Sequence, residues 1–201
     1  MPKRLRINMW LYIAPYIKGK LENNGTPIVY DEREERYLDP NNIDDKITIY
    51  ERQVKEWFLN RAFQLKKEDL AGFIILMLSI AYIEGVEQYR EGQTSHRNSP
   101  YFFKRGIKRI FGLNNIADYK LTSFYKQVRC GLFHTGMTHD KVIINSSWQE
   151  TIDFSNDDMI KINHERFIDA IINDFEIYIK NLRNPNEAIL RENFNGMFKV
   201  L

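Results

Sequence analysis

The residues best equipped to do chemistry lie in the segment FYKQVRCGLFHTGMTHD, residues 124–140. Arg129 and His134 stand there as R-x4-H near the end of an amphipathic helical pattern, with Tyr125 and Lys126 before them and Thr135 after. Cys130 and His134 are four apart, with His139 and Asp140 close behind, a grouping that can in principle ligate a metal. One cysteine and two histidines without regular spacing make a poor ligand set, however, and we assign no metal. A second match, Arg90-x5-His96, crosses Gly92, Thr94 and Ser95, so it straddles a helix end and a loop and is set aside. Glu84 and Glu87 sit one turn apart in a long apolar stretch. They lack the ExxH partner of a carboxylate metal site, so we read them as polar groups of a helix bundle, with Glu84 placed to support the site. There is no P-loop, dinucleotide fingerprint, HExxH, GxSxG or EF-hand spacing, and no cofactor is expected.

Charge is distributed unevenly although the formal net charge is only +2. Residues 97–129 carry eight basic side chains against Asp118 alone, whereas residues 31–45 and 150–176 are acidic. Within the basic third, Lys104, Arg105, Lys108 and Arg109 recur at helical spacing beside Tyr101 and Phe102. That pattern suits phosphates and stacked bases, and Lys126 adds to it. The same stripe is also how the wet side of any amphipathic helix looks, its charges paired with the acidic flanks.

On RCGLFHTG, the preceding Phe124, Tyr125 and Val128, and the order of elements around them, the chain resembles the HEPN superfamily. The resemblance covers Asp45 to Leu182 as a layout. It implies a mainly α protein, a HEPN-like helical bundle with a small antiparallel β insert before its last long helix. It also implies a metal-independent endoribonuclease of prokaryotic defence or toxin–antitoxin systems, cytoplasmic, with RNA as substrate and a protein antitoxin or regulatory partner. Arg129 and His134 would then be catalytic: histidine moves the 2′-OH proton, and the guanidinium holds charge on the phosphorane. Glu84, Tyr125 and Thr135 would support them. Two positions depart from the family pattern. Cys130 stands where a polar residue such as Asn is common. Gly136 stands where one branch carries a tyrosine two residues after the histidine, so modification at such a tyrosine is not open to this chain. Five residues at 100° each leave Arg129 and His134 about 140° apart on an ideal helix. The pair meets one phosphate if the helix loosens at Thr135-Gly136 or if two copies face each other, and we expect a homodimer, as in that family. The rival reading is a non-catalytic module of the same fold that binds RNA or protein or serves dimerisation, with Arg129 a helix-end cation and His134 a satisfied histidine.

The elements that must position these residues can be drawn from periodicity. Residues 1–44 form an N-terminal extension: Leu5, Ile7 and Met9 alternate like a strand, Trp10 to Ile13 reads as helix or strand, and Ile28 to Tyr30 as a short strand. Residues 45–201 form the helical domain. Ile47, Tyr50, Val54, Trp57 and Phe58 share a face. A central helix runs to about Arg90. Ser99, Pro100 and Gly112 bound the basic helix, and the helix carrying Arg129 starts at about Ala117 or Thr122. Three strand-like pieces, 141–145, 151–154 and 159–162, precede a long helix from an Asn163 cap to about Leu182.

With 201 residues, 43% hydrophobic and 28% charged, the chain can bury a sizeable core. Its single cysteine excludes an internal disulfide framework and favours a reducing compartment. The longest uncharged apolar run, Leu70 to Ile83, has 14 residues, short of the ~20 of a membrane span. Lys3, Arg4 and Arg6 resemble a signal n-region, but Asn8 and Pro15 interrupt the apolar residues after it, and neither a secretory signal nor membrane attachment is expected.

Overall fold

Alternation in the N-terminal forty residues resolves into a four-stranded sheet. The computed structural model describes residues 5–200, and Lys3 and Arg4 of the signal-like stretch lie outside them. Strands β1 (Leu11–Ala14), β2 (Ile17–Leu21), β3 (Pro27–Asp31) and β4 (Arg36–Leu38) form an antiparallel meander in the order β1-β2-β3-β4. Ile13, Ile17, Val29 and Leu38 are buried on its inner face. The register places Tyr12, Lys18, Tyr30 and Tyr37 in one row on the opposite face. The β2–β3 connection turns at Gly25, whose φ of 82° suits glycine, and Asn24 accepts from the Thr26 N–H there.

Helix α1 (Ile43–Val54) follows because Asn42 caps it, its side chain accepting from the N–H groups of Asp44 and Asp45. Its chain continues through a π turn, Lys55–Leu59, into α2 (Asn60–Gln64) and a 3-10 turn, Leu65–Lys67. Helices α3 (Gly72–Glu91), α4 (Ser99–Phe111) and α5 (Asp118–Phe124) come next. A second π turn, Tyr125–Cys130, leads into α6 (Gly131–Thr135). Strands β5 (Val142–Ile144), β6 (Ile152–Asn156) and β7 (Met159–Ile162), then α7 (His164–Arg183) and α8 (Ala188–Met197), complete the described chain.

These elements divide into two compact units. One comprises Met1–Phe58, Tyr89–Gly92 and Tyr178–Leu201; the other comprises Leu59–Gln88 and Gln93–Ile177. In the first, the inner face of the sheet lies against α1, and Gln53 donates to the Ile13 carbonyl at 2.6 Å. Tyr50 is the centre of an aromatic cluster, edge-on to Tyr89, Tyr178, Phe194 and Phe198. In the second, Phe103, Ile107, Leu121, Phe124, Val128, Phe167 and Ile171 are fully or almost fully buried. Position 106 must be glycine for α3 and α4 to approach. A Cβ there would stand 2.5 Å from the Ile83 Cγ2 and 3.1 Å from the Glu87 Cγ.

The mainly α helical bundle with one small antiparallel insert is therefore corrected. Among the described residues helix accounts for 54%, and two sheets accompany it, four-stranded antiparallel and three-stranded mixed. Two physical causes hid this. The outward positions of the first sheet are aromatic, so its hydrophobic–polar alternation is masked in the sequence. In the second sheet β6 and β7 form the expected antiparallel pair, but β5 joins the other edge of β7 in parallel, giving the order β5-β7-β6. Among the described residues α3 alone has the length and hydropathy of a membrane span. It is partly buried, with Ile75, Leu76, Ile80, Ile83 and Val86 inside.

Asp31 locks the end of β3. Fully buried, it accepts from the Arg52 guanidinium at 2.6 Å and from the N–H groups of Arg33 and Glu34. Burial alone would raise its carboxyl, but Arg52 and the two amides outweigh burial and hold it below the usual value of 3.8. Its stabilisation is therefore present above the unfolded value and is lost as pH falls through the lower folded value. Asp31→Ala should cost about 3 kcal/mol in urea unfolding, since it leaves the mostly buried Arg52 with the exposed Glu34, 3.8 Å away, and should make stability decline less steeply below pH ~4 than in the wild type.

Candidate functional site

Helices α5 and α6 form one continuous rod with the π turn between them, ended by Gly136 at φ 75°. The loop after it folds back on the rod. The His139 N–H donates to the Gln127 carbonyl inside the widened turn at 2.9 Å. The Thr135 hydroxyl lies 2.8 Å from the Gly131 carbonyl oxygen and 3.1 Å from that of Met137. Gly131 makes room for this return, because a Cβ there would meet the Met137 carbonyl oxygen at 2.6 Å. Thr135 thus fixes the turn beyond the rod rather than pointing towards Arg129.

Arg129 occupies the π turn and is held from three directions. Its Nη2 donates to Glu84 of α3 at 3.0 Å. Its guanidinium lies 5.6 Å from the Tyr125 ring and 5.1 Å from the Phe133 ring, its neighbours four residues before and after. Glu84 also accepts from Ser95 at 2.5 Å and Ser99 at 2.7 Å, and the Ser99 and Tyr125 hydroxyls are 3.1 Å apart. Glu84, Tyr125 and Arg129, singled out from sequence, thus share one network. Ser95, Ser99 and Phe133 belong to it, and sequence reasoning does not place them there. Ser99 reads as a helix cap, but it is the first residue of α4 and gives its hydroxyl to Glu84. An aromatic four residues after an arginine is the signal that marks Phe133; nothing in the sequence marks Ser95.

His134 is exposed in α6 and has no hydrogen bond or ion pair among the described residues. No hydrogen bond joins it to Arg129, whose Nε and Nη1 are likewise unbonded there. Cys130, His134, His139 and Asp140 do not converge, and no three His, Cys, Asp or Glu side chains among the described residues form a cation cage.

The cationic stripe of α4 borders an open cleft of about 610 Å³, lined by Tyr101, Lys104, Arg105, Lys108, Arg109 and Asp118. Its members are not equivalent. Arg109 reaches inward, donating from Nε to Glu87 at 2.5 Å and from Nη1 and Nη2 to Asp174, which also accepts from Tyr82. Glu87 is fully buried and Asp174 nearly so. Burial would lower the Arg109 value, but the two carboxylates more than offset it and raise it above the ordinary guanidinium value. Lys104 pairs with Asp118 at 2.7 Å, and Arg105 lies 3.3 Å from Glu87. Lys108, by contrast, has no carboxylate partner within salt-bridge distance among the described residues, and Lys126 is exposed. Tyr101 is open at the cleft, whereas Phe102 is buried in the core and offers no stacking surface.

Arg109→Met should lower stability by about 3 kcal/mol in denaturant unfolding, because it takes from the buried Glu87 and Asp174 the guanidinium they share, while Arg105 stays beside Glu87 at the more exposed edge. Lys108→Gln should stay within about 0.5 kcal/mol of the parent. Comparison with protein-family models, with curated proteins and with solved structures finds no match for the chain.

Proposed function

We propose that this protein is a metal-independent endoribonuclease that works through Arg129 and His134 in the manner of the HEPN superfamily. One observation carries the reading: Glu84 and two aromatic rings fix Arg129 while leaving Nε and Nη1 unbonded, one turn before an exposed His134. A guanidinium anchored on one nitrogen and open on the others is arranged to receive phosphate oxygens. In the proposed reaction His134 takes the proton of a ribose 2′-OH as its oxygen attacks phosphorus. The P–O5′ bond breaks as the 5′ oxygen takes a proton from solvent water, leaving a 2′,3′-cyclic phosphate and a 5′-OH end, and His134 returns its proton to solvent. Arg129 stabilises the charge that builds on the phosphorane oxygens. The cleft beside Lys104, Arg105 and Lys108 supplies cationic surface for the RNA backbone. Arg109 is not part of that surface, since both of its edges are taken by carboxylates that more than cancel its charge.

Arg129 and His134 share no hydrogen bond among the described residues, which favours a site completed across a two-fold dimer, in which each copy's His134 serves the other's Arg129. The prokaryotic defence or toxin context, a cytoplasmic location and a protein antitoxin or regulatory partner belong to the same proposal through the resemblance of RCGLFHTG. A second reading has one observation in its favour. Arg129 is tied to Glu84 and not to His134, as a binding module without cleavage would show.

Incubated with total RNA in excess EDTA, the protein should cleave and leave 2′,3′-cyclic phosphate ends, and His134→Ala should abolish cleavage. Activity that vanishes in EDTA and returns with Mg²⁺ would refute the mechanism; intact RNA throughout would favour the binding module. Mixing the inactive Arg129→Ala and His134→Ala proteins should restore part of the activity if each site draws on two copies. No recovery from a mixture that forms dimers would place both residues of a site in one copy.

A further inference from the structure

The N-terminal sheet buries one face and presents a second to solvent. Ile13, Ile17, Val29 and Leu38 supply its inner face. On the outer face, cross-strand partners fall in the row Tyr12–Lys18–Tyr30–Tyr37, one residue from each strand. Tyr12 is 56% exposed, Tyr37 70% and Trp10 39%. An outward sheet face ordinarily carries polar residues; this one carries rings, of which Tyr30 and Tyr37 meet edge-on with centroids 5.1 Å apart and Tyr12 donates to Glu32 at 3.0 Å, while much of their surface stays open to water. The lysines are interleaved with these rings. The Lys18 ammonium lies 5.4 Å from the Trp10 ring and 5.5 Å from Tyr30, and that of Lys20 lies 5.0 Å from Trp10. Lys18 is paired with Glu32 at 2.7 Å, while Lys20 has no carboxylate partner within salt-bridge distance among the described residues.

We propose that this face binds single-stranded nucleic acid, with bases stacked on Trp10, Tyr12, Tyr30 and Tyr37 and phosphates drawn to Lys18 and Lys20. Rings alternating with ammonium groups on an open sheet match the two halves of a nucleotide, a π face and an anion. A proline-rich peptide would use the rings but has no need of the lysines. The face lies in one unit of the fold and requires neither Arg129 nor His134, so binding here is independent of the cleavage proposed above.

The test measures binding of fluorescein-labelled oligouridylate and oligothymidylate in EDTA, using a His134→Ala protein so that RNA stays intact. Tyr12→Thr with Tyr37→Thr should weaken binding by about tenfold or more and leave its salt dependence unchanged. Threonine suits a strand and both tyrosines are more than half exposed, so an unaltered thermal transition checks the fold. Lys18→Gln with Lys20→Gln should flatten the slope of log K against log salt by ~0.7 for each phosphate that the variant no longer neutralises. Oligouridylate bound more tightly than oligothymidylate identifies RNA as the ligand, and equal affinity identifies any single strand. Unchanged affinity in both double variants would overturn the proposal, as would a proline-rich peptide that occupies the face while oligonucleotides fail to displace it.

Discussion

The ion cluster of Glu87, Arg109 and Asp174 is the constraint on which the second unit depends. Helix α3 is apolar around most of its circumference, and a buried carboxylate in such a helix is tolerable only with a counter-charge and hydrogen bonds. Arg109 supplies both from α4, and its other edge satisfies Asp174 of α7, where Tyr82 also donates. Three helices are thereby fixed around one guanidinium. The glycine at position 106 lets α4 come close enough for the reach to succeed. One turn earlier on α3, Glu84 does for Arg129 what Glu87 does for Arg109, at a more open point of the surface. The candidate site is thus a partly solvated repeat of the structural cluster beside it. That explains how one arginine has all its directions filled while the other keeps two nitrogens open.

Residues whose role is set by their immediate neighbours in the chain are legible in the sequence. Pro100 and Gly112 bracket α4, Asn163 caps α7 through its side chain, and Asn156 to Asp158 turn the β6–β7 hairpin. The features that stay hidden depend on partners distant in the chain. Glu84 and Arg129 are 45 residues apart, and Arg109 and Asp174 are 65 apart. Each is visible as a charged residue, but spacing along a helix carries no information about which carboxylate an arginine will meet. Arg109 accordingly reads as part of a wet stripe, although its aliphatic stem and head turn inward. Phe102 reads as available for stacking for a similar reason: Tyr101 and Phe102 are adjacent and their rings touch edge-on, but the ~100° between them on the helix leaves one open and turns the other into the core.

The first sheet is obscure in the sequence for a different reason. Periodicity recognises a strand by contrast between its faces, and here Trp10, Tyr12, Tyr30 and Tyr37 remove the contrast. The residues that make the sheet hard to see are those that give its outer face a chemistry of its own. The parallel pairing of β5 with β7 is equally invisible to local patterns, since it joins strands across the whole of β6 and its connections.

The π turn at Tyr125–Cys130 amounts to one surplus residue in an otherwise α-helical rod. Removing a single residue there would return the rod to a regular ladder with both flanks in their present phase, since the bulge already takes up the surplus, whereas removing a second would rotate everything beyond it by about 100° relative to everything before. Leu121 and Phe124 would keep their places in the core while Phe133 and His134 swung to a different side. The direction in which the histidine faces is therefore set by the number of residues in the turn and not by the identity of any of them. In such a rod, the variation that moves the site in a single event is insertion or deletion rather than substitution.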